Sequence, residues 1–154
     1  MLGLTEIPPE VNGLDHLKIL NLGEEFTYEN QFHRSRNKGE ANSFAASLGT
    51  LTTTGLEQVF LSGTSVSDLS PISGLSSLHA LSCSSTSVSD LSPLSGLASL
   101  HALICHSTPV SDLSPLSGLS SLHTLACGST SVSDLSPLSG LSSLHSLHCG
   151  STSV

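Results

Sequence analysis

Three residue types that can do chemistry recur every 22 residues in the second part of this chain: cysteine, histidine and aspartate. Thiolates and imidazoles bind transition metals, whereas carboxylates bind hard cations or act as acids and bases. A side chain that returns once in every period of a repeat predicts a column on the folded protein. The columns are Cys83, Cys105, Cys127, Cys149; His79, His101, His123, His145; and Asp68, Asp90, Asp112, Asp134.

The cysteines occupy a leucine position, because Leu61 fills the same position in the first copy of the period. Free cysteine behaves as a small buried hydrophobe, so we expect four reduced thiols that face the core. Two alternatives stay open at this point. Neighbouring cysteines would be close enough to form disulfides, and thiolates are also metal ligands.

The histidines follow the leading leucine of each copy, which predicts exposed imidazoles about 5 Å apart on or beside a sheet, with His106 and His148 near them. Such a column could share a transition metal or respond to pH. It could equally be a neutral surface residue that duplication has copied. Since no carboxylate accompanies the column, we expect neither a functional metal nor a cofactor.

Each aspartate precedes Leu-Ser-Pro, where a carboxylate can accept the backbone N–H two residues ahead in a local turn. That local role is our interpretation, and calcium binding is the alternative. Serine, histidine and aspartate occur in every copy, so a Ser–His–Asp triad can be written anywhere in the array and carries no meaning. The pattern therefore predicts no catalytic residue and no enzyme activity.

The elements that would position these columns follow from the repeated unit. Its copies lie at 56–77, 78–99, 100–121, 122–143 and 144–154, the first looser and the last partial. The segment Leu-x-x-Leu-x-Cys alternates apolar and polar residues, which predicts a short half-buried strand. Ser-Pro-Leu predicts a 3₁₀ turn, with Ser92, Ser114 or Ser136 as its N-cap and proline at its first position. Stacked units of this length predict a solenoid of about six coils with parallel strands.

The first 55 residues differ from the array. Residues 1–22 fit a divergent repeat that places Leu20 at the same position as Leu81. Residues 23–55 break the period and contain seven of the sixteen charged residues, the only tyrosine and three of the four phenylalanines. Such an insertion on a rigid solenoid is either a binding loop or a clamp over the end of the core. Its aromatic side chains are Phe26, Tyr28, Phe32 and Phe44.

The charge distribution excludes several kinds of partner. The chain has a formal net charge of −8, and its four Lys and Arg residues all precede the array. A surface without basic residues cannot neutralise phosphates, which argues against nucleic acid and against anionic membranes. The sequence has no apolar run of about 18 residues, and its start lacks the basic and apolar regions of a signal peptide. We therefore expect a cytoplasmic location.

The pattern Leu78-x-x-Leu81-x-Cys83-x-x-Thr86-x-Val88 resembles the leucine-rich-repeat signature, with threonine at the asparagine position. The period and the Asp-Leu-Ser-Pro-Leu-Ser-Gly-Leu tail resemble the short bacterial repeats of internalins. The segment 4–42, with its Asn-Lys-Gly-Glu-Ala-Asn insertion, resembles the repeats of prokaryotic Roco and NACHT-type proteins.

These resemblances imply an α/β fold, a right-handed leucine-rich-repeat solenoid with a concave parallel β-sheet and 3₁₀ turns on the convex side. They also imply that threonines at the asparagine position hydrogen-bond the backbone inside the turns. In Roco proteins such repeats precede a GTPase domain, which would lie outside this chain because no GxxxxGK[ST] loop occurs in it.

We expect a single leucine-rich-repeat domain over 1–154 that is an excerpt of a larger protein and acts as a non-catalytic protein–protein interaction or scaffold module. The alternatives are the regulatory arm of a Roco-like GTPase and a structural spacer without a partner. The partner is an unidentified protein, and uncapped solenoid ends also predict end-to-end or homodimeric association.

The predicted binding positions are the second, third, fifth and seventh of each unit, which include Ala80, Ser82 and Ser84 as well as Ala102. To these we add the aromatic and basic residues of the insertion, because hot spots favour such side chains. The predicted protein-binding residues are Phe26, Tyr28, Phe32, Arg34, Arg36, His79, His101, Ile104, His106, His123, His145 and His148.

Overall fold

The array forms one continuous parallel sheet. The structure, a computed structural model, describes residues 16–22, 25–28, 31–34 and 55–154, and of 25–28 and 31–34 it describes the backbone. The strands of these residues are β1 (Ile19–Asn21), β2 (Glu25–Tyr28), β3 (Gln31–Arg34), β4 (Gln58–Phe60), β5 (Ala80–Ser82), β6 (Ala102–Ile104), β7 (Thr124–Ala126) and β8 (Ser146–His148). Six of them follow one another across the sheet in the order β1, β4, β5, β6, β7, β8, whereas β2 and β3 form an antiparallel pair.

Each strand of the large sheet pairs with the next in the same register. Leu81 is the register partner of Leu103, as Leu103 is of Leu125. Towards the start of the chain, Val59 pairs with Leu81 on one side and with Leu20 on the other. The predicted alignment of Leu20 with Leu81 is therefore confirmed. This register keeps the apolar side chains on one face, because a slip of one residue would turn all of them outward.

A 3₁₀ turn lies between successive strands of the array. The four turns are Ser70–Ile72, Ser92–Leu94, Ser114–Leu116 and Ser136–Leu138. Proline is the second residue of each turn and not the first as predicted, and its missing N–H costs nothing there either.

The predicted N-cap role of Ser92, Ser114 and Ser136 is wrong. Each serine is the first residue of its turn, and the residue before it makes no side-chain cap. The start of the turn is instead hydrogen-bonded by the aspartate two residues before the serine, because Asp90 Oδ1 accepts the Ser92 backbone N–H at 2.8 Å. The other three aspartates make the same bond, which confirms the local role predicted for this column.

The core is a stack of leucine layers that runs along the array. In the second regular coil, Leu81, Leu91 and Leu97 are each at most 1% exposed. Burying one such side chain contributes about 1.5–3 kcal/mol, so each coil is stabilised by its neighbours on both sides. The layers open at the last coil, where Leu144 is only partly buried and Leu147 is 39% exposed.

The threonine at the asparagine position closes a buried turn within its own coil. Thr86 Oγ1 donates to the carbonyl of Cys83 at 2.6 Å and accepts the Val88 N–H at 3.4 Å. The threonine-to-carbonyl bond recurs in the other units. The role implied by the leucine-rich-repeat resemblance is thus confirmed, and the buried hydroxyl leaves no unpaired polar atom.

The residue before each of these threonines has a left-handed backbone. Ser85, Ser107, Ser129 and Ser151 have φ values of 54–59°, and in the first unit Gly63 occupies the position at φ 74°. A residue with a Cβ is strained in this region, because the Cβ approaches the following carbonyl oxygen. The positive φ therefore strains the backbone at the serine of four coils, whereas the glycine of the first unit adopts it without strain.

We expect Ser107→Gly to raise the free energy of unfolding by about 0.5–1 kcal/mol, since relief of this strain outweighs the added entropy of the unfolded chain. The control is Ser111→Gly at an exposed residue without a positive φ, where glycine should cost about 0.5–1 kcal/mol. Urea denaturation followed by circular dichroism measures both. If the two variants had equal free energies of unfolding, the conclusion that Ser107 is strained would be contradicted.

Candidate interaction surface

The face of the sheet that points away from the leucine core is the candidate surface. We call it the outer sheet face, and it consists of the second, third, fifth and seventh positions of each unit. Side chains along a strand alternate between the two faces, so the third and fifth positions point away from Leu81 and its equivalents, whereas the second and seventh positions flank the strand. In the second regular unit the four residues are His79, Ala80, Ser82 and Ser84, and in the third they are His101, Ala102, Ile104 and His106.

The outer sheet face is buried at Phe60 of β4 and along β5, whereas Gln58 and Ser62 are partly exposed. Phe60 is 2% exposed although it lies on this face, and Ala80, Ser82 and Ser84 are between 2% and 4% exposed. The prediction that these three small residues form part of a binding surface is therefore wrong. Ser82 is the register partner of Phe60 and shares a 2.6 Å hydroxyl bond with Ser62.

The outer sheet face opens from Ile104 onward, whereas Ala102 at the start of β6 is still buried, so its prediction as a binding position is also wrong. Ile104, Thr124, Ala126 and Ser146 are partly exposed here, and His106 and His148 are exposed. This part of the face contains no lysine, arginine, aspartate or glutamate. It is an uncharged surface of small side chains and imidazoles on closely paired strands.

Four imidazoles form a continuous stack along one edge of this face, as predicted. We call His79, His101, His123 and His145 the histidine stripe. Successive ring centroids lie 5.1, 5.1 and 5.5 Å apart, and the planes of His101 and His123 differ by 10°. His101 is partly exposed, whereas the other three are exposed. The spacing follows from the strand separation, because each ring stands on its own coil.

Backbone carbonyls hold three rings of the stripe. Nδ1 of His101 lies 2.6 Å from the carbonyl oxygen of Ser99, and Nδ1 of His123 lies 2.6 Å from that of Ser121. His145 makes the equivalent bond to Ser143. A carbonyl oxygen can only accept, so Nδ1 carries the proton of the neutral ring and Nε2 keeps a free lone pair.

The aspartate column lies at the 3₁₀ turns and is fully exposed. The hydroxyl of Ser114 and, next in size, its backbone N–H donate hydrogen bonds that hold the pKa of Asp112 below its ordinary value. The like charges of Asp134 and Asp90 act in the other direction and are outweighed. The pKa of Asp90 is lowered by Ser92 in the same way. In the part of the chain that the structure describes, no group of three or more His, Cys, Asp or Glu could hold a metal ion.

The cysteine column faces the core as free thiols. Cys83, Cys105 and Cys127 are buried, and Cys149 in the last coil is partly buried. Burial raises the pKa of Cys83 to about 12 and that of Cys105 well above the ordinary 9.0. The interpretation as core thiols is confirmed for the three buried cysteines, and burial of this degree keeps Cys83 and Cys105 from acting as nucleophiles.

The structure brings together the predicted surface residues of the array. Ile104, His106 and His148 lie on the open part of the outer sheet face beside the histidine stripe. Phe26, Tyr28, Phe32 and Arg34 lie in β2 and β3, whose side chains are outside the described part, as are Arg36 and Phe44 entirely.

Residues that belong to the same surface but were not named from the sequence are Thr124, Ala126 and Ser146. The period itself points to them, because they repeat the positions of Ala102 and Ile104. Their exposure could not be read from the repeat, since the identical positions on β5 are buried.

Solved structures of bacterial proteins superpose on nearly the whole chain. An internalin of Listeria monocytogenes matches with 29% sequence identity and a TM-score of 0.72, over 96% of this chain and 45% of its own. The fold is a leucine-rich-repeat solenoid. Internalin C2 of the same bacterium matches this solenoid with 27% identity and a TM-score of 0.72, over 97% of this chain and 68% of its own.

A leucine-rich-repeat protein of Leptospira interrogans shares the fold at 21% identity, with a TM-score of 0.71 over 97% of this chain and 41% of its own. The solenoid thus spans less than half the length of two of these three proteins. No family model and no curated protein sequence matches it. The likeness to internalins is supported, whereas the likeness to Roco and NACHT-type proteins stays a prediction. Among the described residues, no helix is long and apolar enough to cross a membrane.

Proposed function

We propose that this solenoid is a non-catalytic protein-interaction module that binds its partner on the open part of the outer sheet face. The observation that carries the proposal is the contrast in exposure along one sheet, covered at Phe60 and Ser82 and open from Ile104 onward. Because paired strands and stacked coils hold this face, little conformational entropy is lost on binding. The leucine-rich-repeat structures that match the chain support such a role.

The composition of the open face limits the kind of partner. The array contains no tryptophan, tyrosine or arginine, which are the side chains that dominate most interface energies. The partner must therefore supply the anchoring residues, which would pack against Ile104, Ala126 and the imidazoles. Without Lys, Arg, Asp or Glu on this face, we expect association to depend weakly on salt concentration.

The test compares two double variants in a pull-down from lysate of the organism that encodes the chain. Ile104→Glu with Ala126→Glu places two charges on the open face, whereas Ser120→Glu with Ser142→Glu places two charges at exposed positions elsewhere with the same spacing. A protein that wild type and the serine variant retain and the face variant loses supports the proposal. Equal retention by both variants contradicts it, provided that both melt as wild type does.

The finer alternatives predict other outcomes of the same pull-down. A structural spacer retains no specific protein, and the regulatory arm of a Roco-like GTPase retains a GTP-binding protein or domain. Deletion of residues 23–44 tests the insertion as the binding loop, since loss of the partner on deletion alone would move the site there. The domain division at 22 and 55, the cytoplasmic location and end-to-end association also stay predictions.

A further inference from the structure

Three rings of the histidine stripe present their Nε2 atoms in one chemical state. The Nδ1 atoms of His101, His123 and His145 donate to the carbonyls of the residues two positions earlier. This bond leaves an unprotonated Nε2 on each neutral ring. Histidines that bind metal ions commonly donate the N–H of their other ring nitrogen to a carbonyl or a carboxylate. This bond fixes the orientation of the ring and makes the metal-binding nitrogen a stronger donor of its lone pair.

The stripe ends at a residue of a different kind. Towards β1 the same column continues as Glu57 and then Lys18, whose side chains form an ion pair with 3.0 Å between Oε1 and Nζ. The Glu57 carboxylate is thus already paired with a cation beside His79. The rings from His101 to His145 therefore form the part of the stripe that offers imidazole ligands alone.

An ion that binds two neighbouring rings of the stripe requires both rings to move. A tetrahedral ion bound at about 2.0–2.1 Å to two nitrogens holds them about 3.4 Å apart, which is closer than the 5.1 Å between the centroids of His101 and His123. Each ring must tilt towards its neighbour, and exposed rings held by one bond at Nδ1 can do so. Three rings cannot converge on one point from a straight stack, which agrees with the lack of a described three-ligand group.

We propose that neighbouring imidazoles of the histidine stripe bind one divalent transition-metal ion through their Nε2 atoms, with water at the remaining positions. Imidazole ligands favour Cu²⁺, Ni²⁺ and Zn²⁺ over Mg²⁺ and Ca²⁺, which prefer oxygen. The ion ties two coils together on the folded chain only, so binding raises the melting temperature. Protons compete for the same lone pair, so binding weakens as the pH falls.

The experiment titrates Ni²⁺ and Zn²⁺ into the protein and into two double variants that each lack two histidines. His101→Gln with His145→Gln leaves no adjacent pair in the stripe, whereas His106→Gln with His148→Gln leaves the stripe complete. We expect wild type and the second variant to bind alike and the first to bind about 100-fold more weakly, since the second ligand no longer acts from the same scaffold. In melting scans with about 1 mM metal, the melting temperature should rise by about 3 °C or more for wild type and for the variant that lacks His106 and His148. It should not rise for the variant that lacks His101 and His145.

Two results would overturn the proposal. The first is equal affinity of the two double variants, which would mean that any exposed histidine serves. The second is a copper spectrum of the wild-type protein in which electron paramagnetic resonance shows one coordinated nitrogen per Cu²⁺ instead of two. The spectrum needs no variant, so the proposal stays testable even if a double variant fails to fold. Loss of partner binding in the Ile104 and Ala126 variant has no bearing on either result.

Discussion

Replacing Leu103 with alanine is expected to lower the free energy of unfolding by about 3 kcal/mol. Leu103 is 0% exposed, and its coil has neighbours on both sides, so the cavity left by the missing carbons is lined by atoms of three coils. Partial relaxation of a close-packed interior cannot refill such a space. Urea denaturation gives the loss, and amide hydrogen exchange shows whether β5, β6 and β7 lose protection together.

The matched control is Leu147→Ala, because Leu147 holds the same repeat position one coil beyond Leu125. Leu147 is 39% exposed and has no strand beyond it among the described residues, so we expect a loss of about 1 kcal/mol or less. The same substitution thus separates the effect of stacking from the effect of the leucine itself. Equal losses at the two positions would refute a core sustained by neighbouring coils.

Thiol labelling should divide the four cysteines into reactive and protected groups. Burial raises the pKa of Cys83 from the ordinary 9.0 to about 12, so its thiolate fraction near neutral pH falls about 1000-fold. We expect Cys149, which is partly buried in the last coil, to react first in the native protein. Mass spectrometry after timed alkylation measures each site, and all four should react alike in denaturant.

The same thiols set a pH limit on stability. Because the pKa of Cys83 in the folded chain lies above its ordinary value, the folded state favours the protonated thiol. The resulting contribution to the free energy of unfolding has its full value below pH 9.0, where the thiol is protonated in both states. As the pH rises from there towards 12, the unfolded chain releases its proton first and the free energy of unfolding falls. Fast labelling of Cys83 or Cys105 in the native protein would contradict both expectations.

The local chemistry of the repeat was largely readable from sequence. Apolar residues at strand and helix-turn positions recur without an insertion from Leu56 onward, and that regularity leaves one consistent way to stack the coils. The aspartate turn was predicted because Asp90 can reach its partner over two residues, whatever the rest of the chain does. The serine N-cap was wrong because the turn begins at Ser92 itself, so Leu91, which has no side-chain acceptor, holds the cap position.

The candidate surface was less predictable because exposure depends on neighbours in space. Ser82 and Ala126 occupy the same repeat position, yet one is buried beside Phe60 and the other is partly exposed. The Nδ1 bonds of the histidine stripe depend on where the backbone carbonyls of Ser99 and Ser121 point. The direction of these carbonyls cannot be predicted from the spacing of residue types along the sequence.

By itself, the sequence determined that identical coils stack and which columns they form, because a fixed period brings equal residues to equal places. Leu81, Cys83 and Thr86 face the core for the same reason, since apolar burial and hydrogen-bond pairing are satisfied once per period. Only the tertiary structure decided which part of the outer sheet face is open and which nitrogen of each imidazole is free. Both depend on distances and directions between coils, which the three-dimensional packing sets and the order of residues does not record.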